Sequence, residues 1–152
     1  TGLPNRRAFD ERLELELQRA HRTYTRVSVL MVDLDDFKQI NDNFSHVVGD
    51  AVLRTTGQAL NECMREVDMC ARIGGEEFMV LLPETQPEGA LVVAEKVVER
   101  VRELNQELCG VHVTASVGVA TLEPTDDEAS LVARADARLY QAKRAGKNRA
   151  RA

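Results

Sequence analysis

The chain has no tryptophan, two tyrosines and four phenylalanines among 152 residues, so aliphatic side chains must fill most of its interior. Its four prolines and nine glycines are not gathered into a linker, and no repeat or low-complexity stretch marks an internal boundary. No apolar run approaches the roughly 20 residues that cross a bilayer, and the N-terminus lacks the basic, apolar and small-residue order of a signal peptide. These absences predict a single domain, 1–152, cytoplasmic and without membrane contact of its own. Cys63, Cys70 and Cys109 include no C-x-x-C pair and each lies in an apolar pattern, which predicts reduced core thiols and argues against a zinc site. A basic excess is missing as well. With 20 Lys and Arg against 25 Asp and Glu, net charge −5, no general nucleic-acid surface is expected, because binding a phosphate backbone needs surplus cations.

What is present is an aliphatic pattern rich enough, at 43% hydrophobic residues, to bury a core. After the turn-forming Thr1-Gly2-Leu3-Pro4-Asn5, apolar residues at Phe9, Leu13, Leu17 and Ala20 recur at helical spacing. Val27 to Val32 reads as a buried strand that ends in Asp33-Leu34-Asp35-Asp36. A polar stretch follows, and Val52, Leu53, Thr56, Leu60 and Cys63 then predict a second helix ending near Arg65. Asp68 to Ile73 and Phe78 to Leu82 flank Gly74-Gly75, which predicts a hairpin whose glycines adopt positive φ. Pro87 opens a helix carrying Ala90, Ala94, Val97, Val101, Leu104 and Leu108, ended by Gly110. Val111 to Val119 alternates with period two, as a strand with two different faces. Thr125-x-x-Glu128 has the form of a capping box before a helix through Leu131, Ala135, Leu139 and Ala142, with Gly146 as its cap. The sum is an α/β sandwich.

If the Asp33 strand lies beside the hairpin, Asp33, Glu76 and Glu77 meet at one sheet edge, and such carboxylates repel one another unless cations occupy the site. Hard oxygen ligands of this kind suit Mg²⁺, with Mn²⁺ as the alternative. The only dense basic cluster, Lys143, Arg144, Lys147, Arg149 and Arg151, has the charge to neutralise a small polyphosphate.

Four strings together resemble the GGDEF family of diguanylate cyclases, in its GGEEF form, over essentially the whole chain. They are Thr1-Gly2-Leu3-Pro4-Asn5-Arg6-Arg7, Asp33 through Asp42 continued by His46 and Gly49-Asp50, Arg72-Ile73-Gly74-Gly75-Glu76-Glu77-Phe78, and Ala135 through Lys143 with Gly146-Lys147-Asn148. The resemblance implies an α+β sandwich with a central, mainly antiparallel sheet flanked by helices, like adenylyl cyclase catalytic and polymerase palm domains. It also implies condensation of two GTP into cyclic di-GMP. On that basis Asp33, the Leu34 carbonyl, Glu76 and Glu77 are expected at the metal. Glu76 and Lys38 are expected to be catalytic, and Asn41, His46, Asp50, Gly75, Lys143 and Lys147 to bind substrate. Since one domain is expected to hold one GTP, a second copy is the required partner, with a sensor region before Thr1. Arg65-Glu66-Val67-Asp68 stands at the family spacing from Gly74 for a product-inhibitory site binding cyclic di-GMP through Arg65 and Asp68, with Lys96 and Arg100 contributed by a partner domain. Ser45 departs from the family's usual glycine, with strain at a positive φ or crowding of the nucleotide the expected consequence, and Lys147 replaces a frequent arginine. The alternative is a non-catalytic receptor for GTP or cyclic di-GMP.

Overall fold

The computed structural model describes residues 2–106, 108 and 110–152. Cys109, one of the three expected core thiols, lies outside the described residues. A five-stranded sheet runs through the centre in the order β2-β3-β1-β4-β5. Its strands are β1 (Val27–Leu34), β2 (Met69–Arg72), β3 (Glu77–Pro83), β4 (Ala115–Thr121) and β5 (Ala150–Arg151). All pairings are antiparallel except β4 with β5. The expected mainly antiparallel α+β sandwich is therefore present.

Helices cover both faces. Successive side chains on a strand point to opposite sides, so on β1 Leu30, Val32 and Leu34 join one core while Val27, Val29 and Met31 join the other. The first core is roofed by α2 (Phe37–Asn43), α3 (His46–Glu62) and α4 (Pro87–Glu103), the second by α1 (Arg6–Thr23) and α5 (Glu128–Arg144). On α1 the buried stripe is the expected Phe9, Leu13, Leu17 and Ala20, and Asn5 caps it by accepting the Ala8 N–H. Gly118 on β4 lets α5 settle directly on the sheet. A Cβ there would collide with the Ala135 carbonyl and the Leu139 N–H, and would stand 2.9 Å from the Leu139 Cα.

Several details differ from the sequence reading. The polar stretch after Asp36 folds as α2, anchored by buried Phe37 and Ile40 one turn apart. Gly74 and Gly75 are absent from the residues with positive φ, because the connection from β2 to β3 is longer than a two-residue turn. α4 stops at Glu103 and passes into a short 3-10 turn, Leu104–Gln106, so Leu108 is not on it. Val111 and Val113 are buried but precede β4, and all seven β4 residues are buried because helices cover both faces of the sheet. The capping box of α5 is made by Asp127 and Ser130, two residues after the expected Thr125 and Glu128, and β5 was not anticipated. Gly146 does follow α5 at φ +124. Cys70 is buried and Cys63 half-buried, both as free thiols, and burial pushes the Cys70 thiol up to about 12. Among the described residues no helix is long and apolar enough to cross a membrane.

Candidate active site

β1 and β3 are neighbours, and their register sets Asp33 opposite Glu77. The carboxylates thus meet at the end of the two central strands rather than on an edge strand. The turn between β2 and β3 is tied down by its own backbone and by one side chain. Leu34 N–H donates to the Glu76 carbonyl at 3.2 Å, and Ile73 N–H to the Glu77 carbonyl at 3.0 Å. Arg72 donates through Nε to the Gly74 and Gly75 carbonyls, both at 3.1 Å, and through Nη2 to Gly75 at 2.9 Å. Gly75 itself faces open space, so a ligand can approach its backbone.

Asp33 is held in an uncomfortable state. Burial raises its carboxyl to about 6, the Lys143 charge opposes that rise, and Glu76 and Glu77 add to it. Its Oδ1 is buried without a hydrogen-bond partner. An unmatched anionic oxygen beside two further carboxylates is the donor chemistry a hard divalent cation satisfies. Among the described residues no three acidic, His or Cys side chains converge to hold a metal by themselves. The donor set therefore fits an ion that completes its shell with a backbone carbonyl and substrate phosphates, as Mg²⁺ does.

Two residues along, Asp35 is fully matched. It accepts from Thr114 Oγ1, Ser116 Oγ and Lys143 Nζ, each at 2.7 Å, and from Asn148 N–H at 2.9 Å. These bonds hold its carboxyl below the ordinary value although burial alone would raise it. Lys143 is shared, standing 3.6 Å from Asp33 Oδ2. Lys147 pairs with Asp36, and Lys38 is exposed on the first turn of α2. The expected polyphosphate cations therefore surround the same end of the sheet, two of them resting on acids of the 33–36 segment.

Asn41 on α2 lies against Gly49 on α3, where a Cβ would overlap its Oδ1. His46 and Asp50 are exposed, one turn apart on α3. A cleft of about 290 Å³ bounded by Asp50, Leu53, Arg54 and Arg72 joins α3 to the turn. Arg54 and the clamping role of Arg72 were missed in the sequence. The spacing of Arg54 four residues after Asp50 on a helix, and of Arg72 directly before the loop, were the available signals. Ser45 has φ 177, which is extended backbone free of strain, and its hydroxyl caps α3 by accepting Val48 N–H at 3.1 Å. The expected strain is absent.

Away from this end, Arg65 and Asp68 are paired at 2.7 Å, with Arg65 also donating to the Pro83 carbonyl and Thr85 Oγ1 at 3.0 Å. Lys96 and Arg100 on α4 lie near the end of α3 in the same chain, where both oppose the burial-driven rise of the Cys63 thiol, and Arg100 stands 3.9 Å from Glu62.

Comparison with known proteins bears on all of this. The family model described as diguanylate cyclase, GGDEF domain, matches residues 1–149. Diguanylate cyclase DgcP of Pseudomonas aeruginosa is 40% identical over 151 residues, which are 98% of this chain and 22% of DgcP. The chain thus spans about a fifth of that relative's length. Among solved structures, the active GGEEF domain of a Vibrio cholerae diguanylate cyclase superposes with a TM-score of 0.91 at 35% identity, covering 98% of this chain and 96% of that one. The GGDEF domain of Caulobacter crescentus DgcB, in complex with c-di-GMP, gives 0.93 at 32% identity, covering 99% and 89%.

Proposed function

This chain belongs to the GGDEF domain family of diguanylate cyclases, and on that premise we propose that it condenses two GTP molecules into cyclic di-GMP and two pyrophosphates. The observation that carries the reading is Asp33, whose buried, unpartnered Oδ1 stands on the strand beside the Glu76-Glu77 turn. Asp33, the Leu34 carbonyl and Glu76, supported by Glu77, would hold Mg²⁺, which when bound supplies a Lewis acid that lowers the pKa of the attacking hydroxyl. Glu76 accepts the proton of the ribose 3′-hydroxyl as that oxygen bonds to the α-phosphorus of the other GTP. The bond from that phosphorus to pyrophosphate breaks, and a second, symmetric transfer closes the ring.

Asn41 and Asp50 read the guanine, with His46 beside them. An amide and a carboxylate match its acceptor O6 and its N1 and N2 donors, whereas adenine reverses the pattern at position six. Lys38, Lys143 and Lys147 neutralise the β and γ phosphates, and the open face of Gly75 admits the nucleotide. One domain holds one GTP, so two copies must face each other. Purified domain at high concentration, given GTP and Mg²⁺, is expected to form cyclic di-GMP detectable by chromatography, and Glu76→Gln to abolish it. Absence of product even from an artificially dimerised domain overturns the enzyme reading in favour of a receptor for GTP or cyclic di-GMP.

The Arg65–Asp68 pair supports product feedback: Arg65 can stack on guanine and pair with phosphate, Asp68 can accept from the base edge, and Lys96 or Arg100 of a partner domain would add charge. Arg65→Ala is expected to weaken cyclic di-GMP binding without lowering the initial rate. Unchanged affinity in calorimetry removes this part of the reading.

A further inference from the structure

The side chain of Asp35 is only 2% exposed, so it cannot itself meet a ligand, yet it gathers donors from three separate places. Thr114 and Ser116 come from the chain entering β4, Lys143 from the last turn of α5, and Asn148 from the segment that follows. That last segment is unusual, since Lys147 and Asn148 are consecutive non-glycine residues at φ +65 and +51. Such backbone is sparsely populated and persists where its surroundings over-determine it. Here the Asp35 carboxylate accepts the Asn148 N–H, and Arg102 donates to Asn148 Oδ1 at 3.1 Å. Lys143 meanwhile has a choice of anions, Asp35 at 2.7 Å and Asp33 at 3.6 Å.

We propose that Asp35 is a positioning residue for the triphosphate. Its carboxylate draws the Lys143 ammonium to 2.7 Å, nearer than the 3.6 Å at which Asp33 shares it, and fixes the 146–149 segment that carries Lys147, so that both cations are aimed before substrate arrives. The inference rests on the GTP-binding reading above and assigns a role to a residue that touches neither substrate nor metal. The chemistry is that of a buried anion with every lone pair engaged. Its charge is balanced by Lys143 without the ammonium's other N–H directions being consumed, because a lysine carries three donors. With the charge at 35 removed, the nearest remaining anion for Lys143 is Asp33. Tightening the existing 3.6 Å pair there would turn the ammonium away from the phosphates.

The test separates phosphate recognition from base recognition in the intact domain, with inorganic tripolyphosphate, guanosine and GTP as probes for wild type, Asp35→Asn, Lys143→Ala and the double variant. Asp35→Asn is expected to weaken tripolyphosphate binding about tenfold, the size of one charge-assisted hydrogen bond, and to leave guanosine within about twofold. In a double-mutant cycle it is expected to add little to Lys143→Ala, since both act through the same ammonium. In turnover, KM for GTP rises while kcat at saturation changes by less than about threefold. Thr114→Val, which removes a donor to Asp35 without changing any charge, is expected to give a smaller loss of the same kind and serves if Asp35→Asn does not fold. Unchanged tripolyphosphate affinity, equal loss of both probes, or full additivity with Lys143→Ala overturns the proposal. If wild type binds neither GTP nor tripolyphosphate, the substrate reading falls, and the proposal with it; if wild type binds both and Asp35→Asn matches it, the proposal alone falls.

Discussion

Two aspartates at opposite ends of the sheet show how differently this fold treats the same side chain. Asp126, just before α5, accepts from Arg134 Nη1 and Nη2 at 2.9 and 2.6 Å, from Ser130 Oγ at 2.8 Å and from Glu123 N–H at 2.8 Å. With Arg134 as the chief cause, its carboxyl is held well below the ordinary range. Asp33 is raised to about 6 and keeps one oxygen without a partner. Burial is the chief cause of the rise at Asp33, whereas at Asp126 the Arg134 bonds outweigh it, so the difference lies in whether partners are there to offset burial. At the Asp126 end the fold spends its donors on itself, while at the Asp33 end it leaves an anion unmatched, which is where a ligand gains most.

Substitution at the unmatched end should cost function and relieve the fold. Asp33→Asn is expected to lower cyclase activity by about 10³-fold or more and, without metal, to raise the melting temperature, because it removes a carboxylate crowded by Glu76 and Glu77. A fall in melting temperature would break the contrast. At the matched end the expectation reverses. Arg134→Ala is expected to cost about 1–3 kcal/mol of stability at pH 7, by leaving a shielded carboxylate short of partners, with KM for GTP unchanged. Because the Asp126 pKa is depressed by folding, its contribution is fully present above the ordinary value of 3.8 and fades as pH falls below it. Urea titrations of wild type and Arg134→Ala should therefore converge in acid, and curves that stay parallel refute the linkage. The smallest effect is at Ser45. Ser45→Gly removes a side-chain cap from α3 but leaves an acceptable residue at the position, and is expected to cost only a few tenths of a kcal/mol in the same titrations.

Much of this architecture could be read in the chain before any fold was known. The stripe from Phe9 to Ala20, the run from Val27 and the Pro87 helix have periods set by which face meets the core, and burial follows them. α2 was hidden because two apolar residues in seven carry its anchoring, and β5 because main-chain pairing of two residues leaves no side-chain pattern. In the site, Asp33 and the Gly74-Gly75-Glu76-Glu77 turn were legible as acids near one another, but Asp35 was indistinguishable from its acidic neighbours. What sets it apart are donors 79 to 113 positions away, and no local pattern encodes a partner at that distance. The hairpin glycines teach the converse, since a residue able to adopt positive φ need not do so, and a longer loop removed the need.

Gly118 ties the chemistry to a place that no substrate reaches. With hydrogen where every other residue has carbon, it lets α5 lie on the sheet at Ala135 and Leu139, and Lys143 stands one turn beyond Leu139 on the same rigid rod. Even a single methyl group at 118 would act as a wedge beneath a lever, tilting the far end of the helix and carrying the ammonium off its mark. The position is thus closed to gradual sequence drift, and a loss of activity traced to it would look like a defect in binding phosphate while originating in the seating of a helix.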